Sequence, residues 1–363
     1  MSSSSLAQEL IDAIVDEVPR ENLNTCSLVA KSFRVPSQRR LLQVLALFTD
    51  RLLVPEPPKG SRILTRFEKA RDMLAISPHL GRYVHVLELC FTPGQDFAAV
   101  ESVLRSLSKL TTLAILPNRR SFDWQEMPLH VTSLLKDLIV HPALRCLSLT
   151  RIMSVPSSLI IHATSSLLAV SLCGIGIHDD VSSASPAYIG PVPDIYQYTH
   201  GLRYLNVRAN ATGDDVNWMR LLQDANATLI DVELSFRSPL PVLELLTFPA
   251  LRALTLGFEV PNQTLPSALG HVLANLPVSA PHLESLAFKV ETIAVFRSTW
   301  RGDIAPYPLF ATADFQTQLP GLTNIHCCRN TGNIYDDNFE TYVEQKLPGP
   351  HAAGILTFES CGR

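Results

Sequence analysis

The residues best equipped for chemistry in this sequence are few, and their spacing does not assemble them. Cys327 and Cys328 are adjacent, so they make no C-x-x-C pair, and no cysteine–histidine set has the spacing of a zinc site. Cys327 falls on an apolar anchor of a repeated motif, which predicts a buried thiol rather than a nucleophile. "CGIGIHDD" (173–180) carries G-x-G but lacks the third glycine of a dinucleotide-binding turn. His178, Asp179 and Asp180 offer three metal ligands with no fourth in view, and read as a solvated loop. "RGD" at 301–303 is a three-letter match without context. No G-x-S-x-G or H-E-x-x-H occurs. The expectation is a non-catalytic chain that needs no cofactor and no metal.

The elements that would position any site come next. The chain has 363 residues, 46% hydrophobic and only 18% charged. That predicts a large buried core and excludes a disordered chain. A net charge of −4 gives no strong pull toward nucleic acid or anionic lipid, so neither is expected as a partner. No apolar run reaches the ~18 residues of a membrane span. The N-terminus carries Glu9, Asp12, Asp16 and Glu17 where a secretory signal has basic and apolar regions, so export is not expected. The N-x-T sequons at Asn210, Asn226 and Asn262 then read as chance. Seven cysteines, an odd number without framework spacing, fit a reducing compartment.

Leucine is the signal that organises the rest. There are 55, and many fall in L-x-x-L-x-L. "LRCLSL" (144–149) recurs as "LRYLNV" (202–207), "LIDVEL" (229–234), "LRALTL" (251–256) and "LESLAF" (283–288). Looser copies lie at 41–47, 84–89, 110–115, 167–172, 322–327 and 353–358. The alternation x-L-x-L predicts a short strand with two anchors on one face. Helical stretches fall between: Phe97, Val100, Leu104 and Leu107; Leu269, Val272, Leu273 and Leu276 after Pro266; Phe339, Tyr342, Val343 and Lys346, stopped at Pro348–Gly349. Strand, loop, helix and strand at this period predict parallel strands with crossovers, an α/β fold. One such unit cannot bury its own apolar face, and stacked units can.

The pattern resembles the leucine-rich repeat over roughly residues 80–360. The resemblance implies an irregular solenoid, a horseshoe with parallel strands on its concave face. Asn118, Asn210 and Asn330 match the asparagine that follows the strand in that family. A doubly wound α/β domain rich in leucine is the alternative architecture. Stretches 174–199 and 291–318 break the array and read as insertions on one rim. Side chains between the anchors point off the core, among them Cys90, Cys146, Gly257, Lys289 and Cys328. Aromatic and charged groups meet in one place, Tyr204, Asn206, Arg208, Asp231 and Glu233, and this is the expected target-binding patch. The 174–199 or 291–318 insertions are the alternative location.

The first 40 residues have a different texture. Leu6, Leu10, Ile11, Ile14, Val15 and Val18 make an apolar stripe on a helix that Ser5 and Gln8 cap and Pro19 ends. Leu23, Cys26, Ser27, Leu28, Val29, Ala30 and Phe33 predict a second helix, and Pro36 opens a short third turn with Arg39 and Arg40. The stripes are wider than a mutual seam requires, so part of that surface awaits another cover.

"LAQELIDAIVDEVP" followed by "NLNTCSLVAKSFRVPSQRRLL" resembles the F-box. Leu6, Glu9, Leu10 and Ile14 match its first helix, and Leu23, Cys26, Val29, Lys31 and Phe33 its second. Ala7 stands where proline is common, and Phe33 where tryptophan is. With the repeats, the chain is similar to the mushroom-type fungal F-box proteins. The implied organisation is a helical F-box-like domain at 1–45, a connecting segment with a helix at 46–79, and a repeat domain at 80–363. The implied role is substrate recognition in an SCF-type ubiquitin ligase, in the cytoplasm or nucleus. A Skp-family adaptor would bridge to cullin and RING subunits, and the repeats would hold an unknown protein target. Leu6, Ala7, Glu9, Leu10, Ile14, Leu23, Cys26, Val29 and Phe33 are the positions carried over as adaptor-binding. The alternatives are a repeat scaffold without a ligase role and a degenerate hydrolase or nucleotide-binding enzyme.

Overall fold

The computed structural model of the chain describes residues 7–47, 66–91, 97–117, 121–164, 167–178, 201–209, 222, 223, 225–236, 246–260, 265, 268–292, 305–330 and 338–360. The chain is an α/β protein that divides into two compact units, Met1–Val155 and Pro156–Arg363.

The first unit opens with three helices, α1 (Gln8–Glu17), α2 (Leu23–Val29) and α3 (Lys31–Leu42). Ser5 lies outside the described residues. The N-cap position is Ala7, which caps nothing with its side chain, and Gln8 bonds Asp12 instead (Nε2 to Oδ1, 2.7 Å). Val18 turns extended before Pro19, which ends α1. The expected second helix is two: Ala30 is extended (φ −154°, ψ 158°) and serves as N-cap to α3. Phe33 therefore belongs to α3. Pro36 opens no new turn and sits buried inside α3. The carbonyl it leaves without an amide belongs to exposed Ser32, where water can answer it.

Ile11, Val15 and Leu23 form the core of this bundle, with Val18, Cys26, Phe33 and Leu41 against them. Arg40 of α3 closes the far end of α1, donating through Nη1 to the carbonyls of Val15 and Val18, the latter at 2.9 Å. A guanidinium there meets both the orphan carbonyls and the negative end of the helix dipole.

From α3 the chain passes into β1 (Val44–Leu47), so the segment expected to be a connection at 46–79 begins as strand. β1 pairs in parallel with β2 (Val86–Phe91), β2 with β3 (Thr112–Pro117), and β3 with β4 (Cys146–Thr150). The leucine anchors stand in register across the strands: Leu87, Leu113 and Leu147, then Leu89, Ile115 and Leu149, all buried. Helices α4 (Arg66–Ile76), α5 (Phe97–Arg105) and α6 (Leu129–Ile139) fall between the strands and pack one on the next.

The second unit begins with α7 (Ser157–Thr164) and continues the same grammar. β5 (Ala169–Cys173), β6 (Tyr204–Ala209), β7 (Asp231–Phe236), β8 (Ala253–Val260), β9 (Ser285–Thr292), β10 (Asn324–Asn330) and β11 (Leu356–Ser360) pair in sequence order, all parallel. One register line is Val207, Leu234, Leu256, Phe288 and Cys327. All five side chains are buried. Helix α8 (Ala268–Ser279) buries Leu269, Val272, Leu273 and Leu276, the face read from the sequence.

Helix α9 (Phe315–Gln318) precedes β10, and α10 (Phe339–Lys346) buries Phe339, Tyr342 and Val343. Lys346 is buried with them: its Nζ donates to the Ala305 carbonyl at 2.9 Å and lies 5.2 Å from the Tyr307 ring centre. Pro348 does more than stop α10. It stands at the first position of a further short helix, α11 (Pro348–Ala352), where its missing amide costs nothing. Asn118 and Asn210 lie outside the described residues.

Candidate partner-binding surfaces

On α1, Leu10 and Ile14 lie four residues apart and so share a face. They are 49% and 41% exposed, while Ile11 and Val15 on the adjoining face fill the bundle core. At the end of α2, Leu28 and Val29 are 82% and 72% exposed. The other expected contact residues divide. Ala7 and Glu9 are exposed, whereas Cys26 and Phe33 are half-buried against the core. Leu23 is 1% exposed and faces inward, so it belongs to the bundle's own core and not to its surface. Leu6 lies outside the described residues. Leu28 and Val35 are exposed apolar residues that were not expected in the surface set. The split of α2 from α3 at Ala30 is what turns the α2 end outward, and no propensity in that stretch marks the split.

A second surface is the polar face of the sheet in the second unit. Strand alternation puts Tyr204, Asn206 and Arg208 of β6 on it, in register with Asp231, Glu233 and Ser235 of β7. The five expected patch residues thus share one face. Tyr204 is 45% exposed. Two charges from β9 complete the patch: Lys289 Nζ reaches Glu233 Oε1 at 2.7 Å, and Arg208 Nη2 reaches Glu291 Oε2 at 2.5 Å. Glu291 follows the repeat motif by three residues, so the motif alone does not flag it. Both side chains cross β8, whose residues on this face are Ala253, Thr255 and Gly257. A Cβ at Gly257 would stand 2.8 Å from Ser235 Cβ, so only glycine fits. Burial raises the Asp231 carboxyl, like charge on Glu233 raises it further, and Lys289 opposes both. Further along, His326 stands 3.2 Å from Glu359.

Two residues expected on this kind of face are not open. Cys90 of β2 is buried, and burial raises its thiol pKa. Cys328 of β10 is 3% exposed and disulfide-bonded. Two cysteines are therefore oxidised in a chain whose cysteine spacing gave no framework.

The residues that drew attention for chemistry do not converge. Cys327 is buried and its thiol is pushed up to about 12, far from the thiolate a nucleophile needs. His178 is exposed, and Asp179, Asp180 and the "RGD" stretch lie outside the described residues. Among the described residues no group of three His, Cys, Asp or Glu side chains is placed to hold a metal ion.

No family model matches this sequence, and no curated protein does. Function has to be read from the chain's own two surfaces, one apolar on a small helical bundle and one charged on a parallel sheet.

Proposed function

We propose that this chain is the substrate-recognition subunit of an SCF-type E3 ubiquitin ligase. In this reading α1–α3 are the F-box and dock on a Skp-family adaptor, which carries the cullin and RING subunits. The parallel strands are a leucine-rich-repeat solenoid, and its polar concave face holds the target protein. The chain itself is non-catalytic and works in the cytoplasm or nucleus.

The observation that carries the proposal is the exposure of Leu10, Ile14, Leu28 and Val29 on a bundle whose core is already filled by Ile11, Val15 and Leu23. Large apolar side chains left exposed beside a filled core mark a candidate interaction site, and each fully buried side chain of this size would contribute about 1.5–3 kcal/mol. Ala7, Leu10, Ile14, Leu28 and Val29 are the adaptor-facing set in this reading. Leu23 supports it from behind.

Co-purification tests the proposal. Full-length chain expressed with a Skp-family adaptor should carry the adaptor through affinity purification and gel filtration as one peak. Recovery of the chain folded but alone would favour the second class of function, a repeat scaffold with no ligase role.

A further inference from the structure

The first unit contains a cavity of about 450 Å³ lined by Val35, Arg39, Arg82, Tyr83, His85 and Lys109. The fold brings them from four places. Val35 and Arg39 sit four apart on α3. Arg82 and Tyr83 end the short 3₁₀-helix Pro78–Tyr83, which packs on α3. His85 is fixed just before β2: its amide donates to the Gln43 carbonyl at 3.0 Å, and its own carbonyl accepts from the Thr111 amide at 2.9 Å. Lys109 precedes Thr111 by two residues.

The lining is of one sign. Arg39, Arg82, Lys109 and His85 border this space, and among the described residues no carboxylate does. Arg39, Arg82 and Lys109 have no ion pair among the described residues. The Arg82 guanidinium is placed by Tyr83 instead, stacked 5.1 Å from the ring centre and donating to the hydroxyl at 3.1 Å. Tyr83 is itself buried, so this cation is pre-positioned. This gathering of cations occurs in a chain where acids outnumber bases, 34 to 30. A cleft lined by one sign of charge concentrates counter-ions. Its volume lies in the ~300–1,000 Å³ range of small-molecule sites.

We propose that this cavity binds a small, multiply charged, phosphate-bearing anion, held by Arg39, Arg82 and Lys109 with His85 as a further donor. Guanidinium groups match phosphate oxygens in pairs, and lysine adds a point charge. The volume and the three cations around it favour a compact polyanion over a single phosphorylated side chain of a peptide. The inference is independent of the F-box reading, since neither Leu10 nor Ile14 lines the cavity.

Calorimetric titration of the full-length chain with sodium tripolyphosphate at physiological salt is the test, with citrate as a polyanion lacking phosphate. One site is expected, with a Kd on the order of micromolar, weakened about tenfold by Arg39→Gln or Lys109→Gln and untouched by Lys136→Gln on α6. Tripolyphosphate should also raise the thermal midpoint of the parent chain and not of the Arg39→Gln/Lys109→Gln double variant, which separates binding from misfolding. Silence at about 1 mM tripolyphosphate, equal weakening by Lys136→Gln, or equal binding of citrate would overturn the proposal. Capture of a phosphoserine peptide, or of phosphatidic acid vesicles, without tripolyphosphate binding would overturn it in favour of a larger partner.

Discussion

Lys289 on β9 and Glu233 on β7 meet at 2.7 Å across the intervening strand β8. Strands lie about 4.8 Å apart, so the two backbones are roughly two strand spacings distant and the lysine stem spans the gap. It does so over Thr255 and Gly257, where larger side chains would block the way. Both partners keep substantial solvent contact, so the pair contributes about 0.2–1 kcal/mol to stability. Its main effect is on the surface, since it fixes where charge lies on the face proposed to meet the target.

Gly257 is the first place to perturb this arrangement. Gly257→Ala drives a methyl group into Ser235 and should destabilise the chain by about 1–3 kcal/mol. Adding Ser235→Gly removes the opposing atoms and should recover most of the loss. Urea unfolding of the single and double variants measures both effects.

The N-terminal bundle separates core from surface by residue. Leu23→Ala empties a fully buried position and should cost about 2–5 kcal/mol. Leu28→Ala removes a side chain that is 82% exposed and should stay within about 0.5 kcal/mol of the parent. Equal losses at the two positions, measured by chemical denaturation, would contradict the described packing.

Asp231 predicts a pH dependence with a definite sign. Its folded pKa lies above the ordinary 3.8, chiefly through burial. In the window above 3.8 the folded chain therefore holds more protons than the unfolded one, and stability falls as pH rises through it. Asp231→Asn removes that penalty. The variant should match the parent below the window, at about pH 3, and exceed it at neutral pH. A stability difference of opposite sign at neutral pH would refute the assignment.

Cys327 and Cys26 predict a labelling contrast. Cys327 is 1% exposed with its thiol pushed up to about 12, while Cys26 is half-buried. Iodoacetamide at mildly alkaline pH should modify Cys26 in the folded chain and reach Cys327 only after unfolding, as read by peptide mass spectrometry.

Much of the fold was legible in the sequence because its signals are local. L-x-x-L-x-L names the strand and its buried face together, and the anchors at 144–149, 202–207 and 251–256 all fall on strands or at their entrance. The faces of α8 and α10 followed from helical spacing. What stayed hidden depends on tertiary packing. Nothing around Ala30 marks a helix break, and a continuous helix would have held Phe33 on the same rod as Leu28. Pro36 reads as a start, but buried packing keeps it mid-helix. Leu23 and Val29 look alike in a motif, and only the packing of α1 and α2 on α3 turns one in and the other out. Glu291 joins the charged patch from beyond its motif because Arg208 is long enough to reach it.

Adaptor docking as proposed depends on the exposed flank of the N-terminal bundle. The most direct measurement is the affinity of the full-length chain for a purified Skp-family adaptor, beside a Leu10→Glu/Ile14→Glu variant of unchanged circular dichroism. The parent should bind with a Kd on the order of micromolar or tighter, and the variant at least about a hundredfold more weakly. A parent that does not bind, or a variant that binds as well as the parent, would contradict the proposed docking surface.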